Sequence, residues 1–177
     1  MSQYFDLSIR RIEIKKPKRD LKPVIKLQDE VNKTLLHDEY YYPTDERTIQ
    51  ECLDGDYILL GVYSKDKLIA ASFAFEGGLF FSKPITDWME IPGNKIMCHE
   101  FVVVDMEYRG NGIQKRFMDA TIREARQMGY DTIWCCAHPN NTLSVCSIES
   151  TGYKFADQFV VDGWPRNVYY RSTSIQR

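Results

Sequence analysis

Residues 101–114 read Phe101-Val102-Val103-Val104-Asp105-Met106-Glu107-Tyr108-Arg109-Gly110-Asn111-Gly112-Ile113-Gln114. A short apolar run, a polar turn holding two glycines and then a helical pattern describe a buried strand, a tight turn and a helix start. The helix covers residues 112–128 on the spacing of Ile113, Phe117, Ala120, Thr121, Ala125 and Met128, and Gly129 is placed to stop it. The strand covers Ile96–Val104. Its unbroken apolar end implies cover on both faces, so helices are expected on each side of the sheet.

Where that strand meets that helix, several amide N–H groups lack helical partners and point to one place. Gly110 and Gly112 let the main chain approach an oxyanion, while Arg109 and Lys115 supply positive charge. A phosphate or pyrophosphate cradle is the expectation. Lys115 and Arg116 sit in a first helical turn, which usually prefers acids. An anionic ligand would remove that conflict, and so would Lys115–Asp119 and Asp119–Arg123 pairs within the helix. No Lys-Ser or Lys-Thr pair follows the turn, as a nucleoside-triphosphate loop requires, and the third glycine of a dinucleotide turn is missing.

Working outward, residues 7–14 read as an edge strand, and residues 21–36 as an amphipathic helix on Leu21, Val24, Leu27, Gln28, Val31 and Leu35, with Asp20 as its cap. Residues 44–53 suit a short helix with Ile49 and Leu53 inward, after an aromatic stretch, Tyr40 to Tyr42, that either lines a pocket or covers the core. Residues 57–63 and 68–75 form an antiparallel hairpin, and residues 77–94, with Phe80, Phe81 and Trp88, a long irregular connection suited to covering a substrate. Strands at 131–137, 153–160 and 168–171 and a short helix at 141–150 complete the pattern.

With 177 residues, 44% of them hydrophobic and 27% charged, the chain is expected to form one domain over residues 1–177. A formal charge of −2 gathers no polyanion, so nucleic acid is not an expected partner despite Arg109, Lys115 and Arg116. The five cysteines, Cys52, Cys98, Cys135, Cys136 and Cys146, have neither zinc nor disulfide spacing and are read as reduced and mostly buried. His37, His99 and His138 offer no metal spacing either, and no metal is expected. No membrane segment or secretory leader is legible, and the expected location is cytoplasmic.

Arg109-Gly110-Asn111-Gly112-Ile113-Gln114 resembles the acyl-CoA signature of the GNAT (GCN5-related N-acetyltransferase) superfamily: Arg or Gln, two residues, Gly, one residue, Gly or Ala. It departs only at Gln114. A later family pattern is matched by Asn141, Ser144 and the Gly152-Tyr153 pair, and the resemblance extends over residues 57–171. It implies an α/β fold whose mixed, mostly antiparallel sheet is splayed at the cofactor site and flanked by helices. It further implies acetyl-CoA as cosubstrate, with pantetheine along Val102, Val103 and Val104. The pyrophosphate would lie on Gly110, Asn111, Gly112, Ile113, Gln114 and Lys115, with Gln114's side chain turned away, and Asn141 and Ser144 would border the pantetheine arm.

The implied reaction is direct attack on acetyl-CoA by a primary amine of a small molecule or peptide, both substrates being bound together. The amine must lose a proton first. Glu100 is the first candidate for that base and His99 the second, since in a regular strand only one of the two faces the cleft. An amide near Val103 is the expected oxyanion donor. The tyrosine that many relatives place four residues before the late glycine is Ile148 here. That substitution keeps open a catalytically weak acyl-CoA-binding or sensing domain. A homodimer is also left open.

Overall fold

The computed structural model describes residues 9–11, 20–77, 79–80, 83–84, 92–93 and 95–174. The expected connection at 77–94, including Phe81 and Trp88, lies mostly outside them, as do residues 7–8 and 12–14 of the first expected strand.

In chain order the elements are β1 (Ile9–Arg11), α1 (Lys22–Asn32), α2 (Glu46–Cys52), β2 (Tyr57–Ser64), β3 (Lys67–Glu76), the short β4 (Leu79–Phe80) and β5 (Lys83–Pro84), β6 (Ile96–Val104), α3 (Ile113–Gln127), β7 (Thr132–Ala137), α4 (Thr142–Ser150), β8 (Lys154–Val161) and β9 (Trp164–Ser172). Seven strands form one sheet in the order β1-β2-β3-β6-β7-β9-β8, while β4 and β5 pair separately. Among the described strands only β6 and β7 pair in parallel. A parallel neighbour needs a crossover, and α3 supplies it.

Alternation along the strands divides the apolar side chains between two faces. On one face Ile58, Leu60, Val62, Met97 and Ile133 pack with Ile113, Phe117 and Ala125 of α3 and Ile148 of α4. On the other, Leu59, Ala71, Phe73, Phe101 and Val103 meet Leu21, Val24, Leu27 and Val31 from the α1 segment and Ile49 and Leu53 from the α2 segment. The apolar run of β6 is therefore covered twice, as its composition requires.

Two helix ends differ from the sequence reading. The first helix stops at Asn32 rather than near Leu36, because Thr34 turns its hydroxyl onto the Val31 carbonyl at 2.7 Å, and Leu36 is 95% exposed. Asp20 accepts from the Lys22 amide at 3.1 Å, one residue outside the cap position Leu21. The last strand is longer than its apolar core, since Trp164 to Asn167 also pair with β8.

Phe117 is fully buried where α3 crosses the sheet. Phe117→Ala should therefore destabilise the fold by about 3–5 kcal/mol, read as a lower midpoint in urea denaturation.

Candidate functional site

Strands β6 and β7 pair at only three positions, Ile96↔Thr132, Met97↔Ile133 and Cys98↔Trp134, and then diverge. The apex is stapled on both sides. The Asp131 amide donates to the Lys95 carbonyl at 2.8 Å, the Lys95 amide returns to Asp131 Oδ2 at 3.1 Å, and the Lys95 ammonium reaches Asp56 at 3.2 Å. Past the apex, a cleft of about 350 Å³ opens among residues 99–104, 108–114, 135–137 and 141–148 and the aromatic stretch after α1.

A bulge sets the direction of β6. Phe73 pairs with Phe101 and Ala74 with His99, so Glu100 is the extra residue. A bulge adds twist and re-aims its neighbours. The rule that one of two adjacent strand residues faces the cleft fails here, because both His99 and Glu100 line it.

The Asp105 amide donates to the Ile69 carbonyl. Antiparallel alternation then turns the main-chain polar groups of Val103 toward β3 and those of Val102 and Val104 toward the open side. Val103 N–H is thus committed to the sheet, and the amides of that region left on the open side are those of Val102 and Val104.

Asp105 caps a single 3-10 turn, Met106–Tyr108, by accepting from the Glu107 amide. Asn111 holds the next turn together, donating to the carbonyls of Tyr108 and Arg109 at 3.0 and 3.3 Å. Gly110 and Gly112 take φ of +78° and +68°, and Gly112 is the N-cap of α3 with no side-chain cap. A Cβ at either would meet no protein atom within 4 Å. The glycines are therefore required by their left-handed backbone, and their open side faces the cleft. The first helical bond runs from Arg116 N to Gly112 O, so the amides of Ile113, Gln114 and Lys115 precede it at the positive end of α3.

Arg109, Gly110, Gly112, Ile113, Gln114, Asn141 and Ser144 all line the cleft, whereas the side chains of Asn111 and Lys115 do not. Arg109 donates to Val104 O at 3.2 Å and to the Thr34 hydroxyl at 3.4 Å. Asn141 caps α4 by accepting from the Ser144 amide and also donates to Tyr40 O at 3.5 Å. Gln114 does not turn away. Its amide crosses to Ser144 Oγ at 3.1 Å and bridges α3 to α4. Asp119 meets Arg171 of β9 at 3.5 Å, in place of the helical pairs expected for it.

Glu100 accepts from the Thr44 hydroxyl at 2.9 Å and from the Cys98 thiol at 3.7 Å. Its side chain exposes surface inside the cleft yet is crowded by protein. Burial raises its pKa, and the two hydrogen bonds offset only part of that rise. Thr44 is itself fixed by Gln28, a 1% exposed residue of α1 that accepts from the Thr44 amide and donates to its carbonyl, both at 3.1 Å. Tyr41 donates to the same Gln28 oxygen, and burial together with the nearby Glu100 charge raises its pKa. The sequence signals for this support are a glutamine on the apolar stripe of a helix and the aromatic stretch that includes Tyr41; Thr44 and Cys98 carry none.

His99 is 4% exposed, and its Nε2 lies 2.8 Å from Ser72 Oγ. Burial lowers its pKa to about 4, so it is neutral at pH 7 and does not titrate near neutrality as an isolated imidazole would. Cys135 is buried as expected, but Cys136 is exposed and lines the cleft. Tyr40 and Tyr41 line it too, while Tyr42 points out and is 73% exposed. Ile148 is 3% exposed against it. Among the described residues no group of three or more His, Cys, Asp or Glu is placed to hold a metal ion, and no helix is long and apolar enough to cross a membrane.

The Acetyltransferase (GNAT) family profile matches residues 25–145. The chain belongs to this family of acetyltransferases, and its mixed sheet parted between β6 and β7 is the architecture its motifs implied. No curated protein sequence matches it significantly. Among solved structures it is similar to an N-acetyltransferase from Staphylococcus aureus Mu50, at 16% identity and TM-score 0.71, over 96% of this chain and 100% of that one. It is likewise similar to the ribosomal-protein-S18-alanine N-acetyltransferase from Escherichia coli, at 16% identity and TM-score 0.66, over 97% and 96%. A chain of the NatC complex bound to Gag peptide and CoA aligns at 11% identity and TM-score 0.70, over 95% and 99%.

Because His99 stays neutral in the fold and ionises near pH 6.5 when unfolded, its contribution to stability is complete above that value and is lost as pH falls toward about 4. The span corresponds to about 3 kcal/mol. Urea unfolding of His99→Gln should show a correspondingly shallower loss of stability between those pH values than the parent protein.

Proposed function

We propose that this protein transfers the acetyl group of acetyl-CoA to a primary amine of a small molecule or peptide, within one catalytic domain working in the cytoplasm. The observation that carries this reading is the alignment, along one cleft, of outward main-chain groups on Val102 and Val104, the glycine turn before α3 and the Glu100 carboxylate.

In this reading the amides of Gly112, Ile113, Gln114 and Lys115 hold the pyrophosphate, and Lys115 contributes its positive charge from outside the cleft wall. Arg109 releases Val104 O to do the same. The Gln114–Ser144 bridge then marks where the pantetheine arm passes between α3 and α4, with Asn141 fixing the near end of α4. Val102 and Val104 hydrogen-bond the arm as an added strand would.

Glu100 takes the proton from the acceptor ammonium or from a water in contact with it. The freed nitrogen lone pair attacks the thioester carbonyl, the carbon–sulfur bond breaks to release the CoA thiolate, and the nitrogen's excess proton passes through solvent to that thiolate. A thiol of ordinary pKa, about 8.5, leaves as its anion without an acid in contact, so Ile148 in place of tyrosine does not block the step. His99, neutral and bonded to Ser72, packs the floor rather than moving the proton. A domain that only sensed acyl-CoA would have no use for a carboxylate with a raised pKa held by Thr44 at the apex. The solved neighbours include one named for a protein alanine and one bound to a peptide, which keeps peptides beside small amines as acceptors.

Glu100→Gln should lower kcat by about 10²-fold while leaving CoA affinity within about twofold. As pH falls through the raised Glu100 pKa, kcat/KM of the parent should drop, and in the variant only the acceptor's own ionisation should remain in the profile. Identical profiles in steady-state thiol release would remove Glu100 from the mechanism. Gly112→Val places a β-branched side chain at φ near +68°, and calorimetry should record CoA binding weakened about tenfold or more.

A further inference from the structure

Arg166 of β9 is a buried arginine, 8% exposed, that no carboxylate partners among the described residues. Among the described residues its guanidinium hydrogen-bonds from Nη1 to the carbonyl of the adjacent Pro165, at 3.2 Å. A guanidinium keeps its proton at any physiological pH. Buried charges in folded proteins are ordinarily matched by an opposite charge or fully hydrogen-bonded, because their hydration has been given up. Arg166 has neither. Arg171 of the same strand, at the sheet's other end, meets Asp119, which shows how this fold satisfies an arginine when a carboxylate is within reach.

The position of Arg166 connects it to the acetyl-transfer site. Asn167 and Val168 pair with Ala137 and Cys136, so Arg166 lies beside the residues that follow β7. Cys136 lines the cleft; burial chiefly raises its thiol pKa, the Glu100 charge adds to the rise, and Arg166 opposes it. Like Glu100, Cys136 exposes surface although protein surrounds it, as befits the floor of a recess. His138 follows Ala137 and packs behind the lining residues rather than among them. It is 4% exposed, its ring centroid lies 5.3 Å from that of Tyr40, which lines the cleft, and 6.4 Å from that of Trp164. Val168 packs with Cys98 and Trp134 on one face of the sheet, and strand alternation puts Arg166 on that same face, next to the pairing partner of Cys136 though not itself among the residues that line the cleft.

We propose that the acceptor is an amine that also carries a carboxylate, with Arg166 binding the carboxylate while Glu100 receives the amine proton. This rests on the acetyl-transfer reading above and narrows its acceptor to amino acids and acidic peptides. A zwitterion matches the two charges in sign. A polyamine would place a second cation against Arg166, and a neutral amine would leave the guanidinium without a partner.

The test compares acetyl transfer to free amino acids, to their carboxamides, and to short peptides with an acidic or a neutral second residue, with rates expressed per unprotonated amine. For the parent protein, kcat/KM should favour carboxylate over carboxamide by about tenfold or more, equivalent to at least ~1.4 kcal/mol. Whether free amino acids or acidic peptides show the larger preference identifies the source of the carboxylate. Arg166→Gln should erase the preference by raising KM for carboxylate acceptors with kcat little changed, and Arg166→Lys should retain part of it. The lysine variant also serves if the glutamine variant does not fold. CoA affinity, measured by calorimetry, should be the same in all three proteins. Equal use of carboxylates and carboxamides by the parent, an equal loss with both in the variants, or CoA binding with no turnover of any acceptor would overturn the assignment of Arg166. Failure of the parent protein to bind CoA would instead overturn the acetyl-transfer reading itself.

Discussion

The parting of two parallel strands after three paired positions is the constraint on which the site depends. Had β6 and β7 continued to pair, the polar main-chain groups of Val102 and Val104 would be consumed by the sheet. The inserted Glu100 and the Lys95–Asp131 staple act together: one adds twist to β6 just beyond the apex, and the other keeps the apex closed. The outcome is a sheet with an internal edge, opened toward solvent but flanked by helices, where a ligand can add its own hydrogen bonds.

The same bulge explains why the two ionisable neighbours on β6 differ so much. His99 falls on the α3 side, where Ser72 and close packing hold it neutral. Glu100 falls on the α1 side, where Thr44 and Cys98 donate to it and burial raises its pKa. The carboxylate is oriented through Gln28, whose side chain bonds the Thr44 main chain in both directions. The geometry of the apex thus rests on a polar residue buried in a helix whose other inward residues are apolar.

The fold was legible because its strongest signals are periodic. The Phe101–Val104 run, the α3 stripe through Ile113, Phe117 and Ala125, and the glycine turn between them each imply one element, and together they imply a strand–turn–helix unit. Local hydrogen bonds shifted some ends, as the Thr34 hydroxyl does for α1, and hydrophobic period does not register them. The site was legible only where main chain makes it. Gly110 and Gly112 announce their backbone conformation, whereas a bulge at Glu100 leaves no mark on composition, and the inward turn of Gln114 depends on Ser144, thirty residues away. Arg166, on a strand whose apolar core begins two residues later, offered no pattern at all. Its meaning comes from which charges are missing around it.

The wedge between β6 and β7 is rigid at its tip and adjustable at its mouth. Asp56, Lys95, Tyr130 and Asp131 lock the narrow end with hydrogen bonds, an ion pair and a cation over a ring. The wide end carries lighter polar links: Gln114 to Ser144 joins α3 to α4 across it, and Arg109 bonds Val104 and Thr34 on the β6 side. Substitutions at those few outer side chains can therefore tune the bore of the mouth while the reacting end keeps its shape.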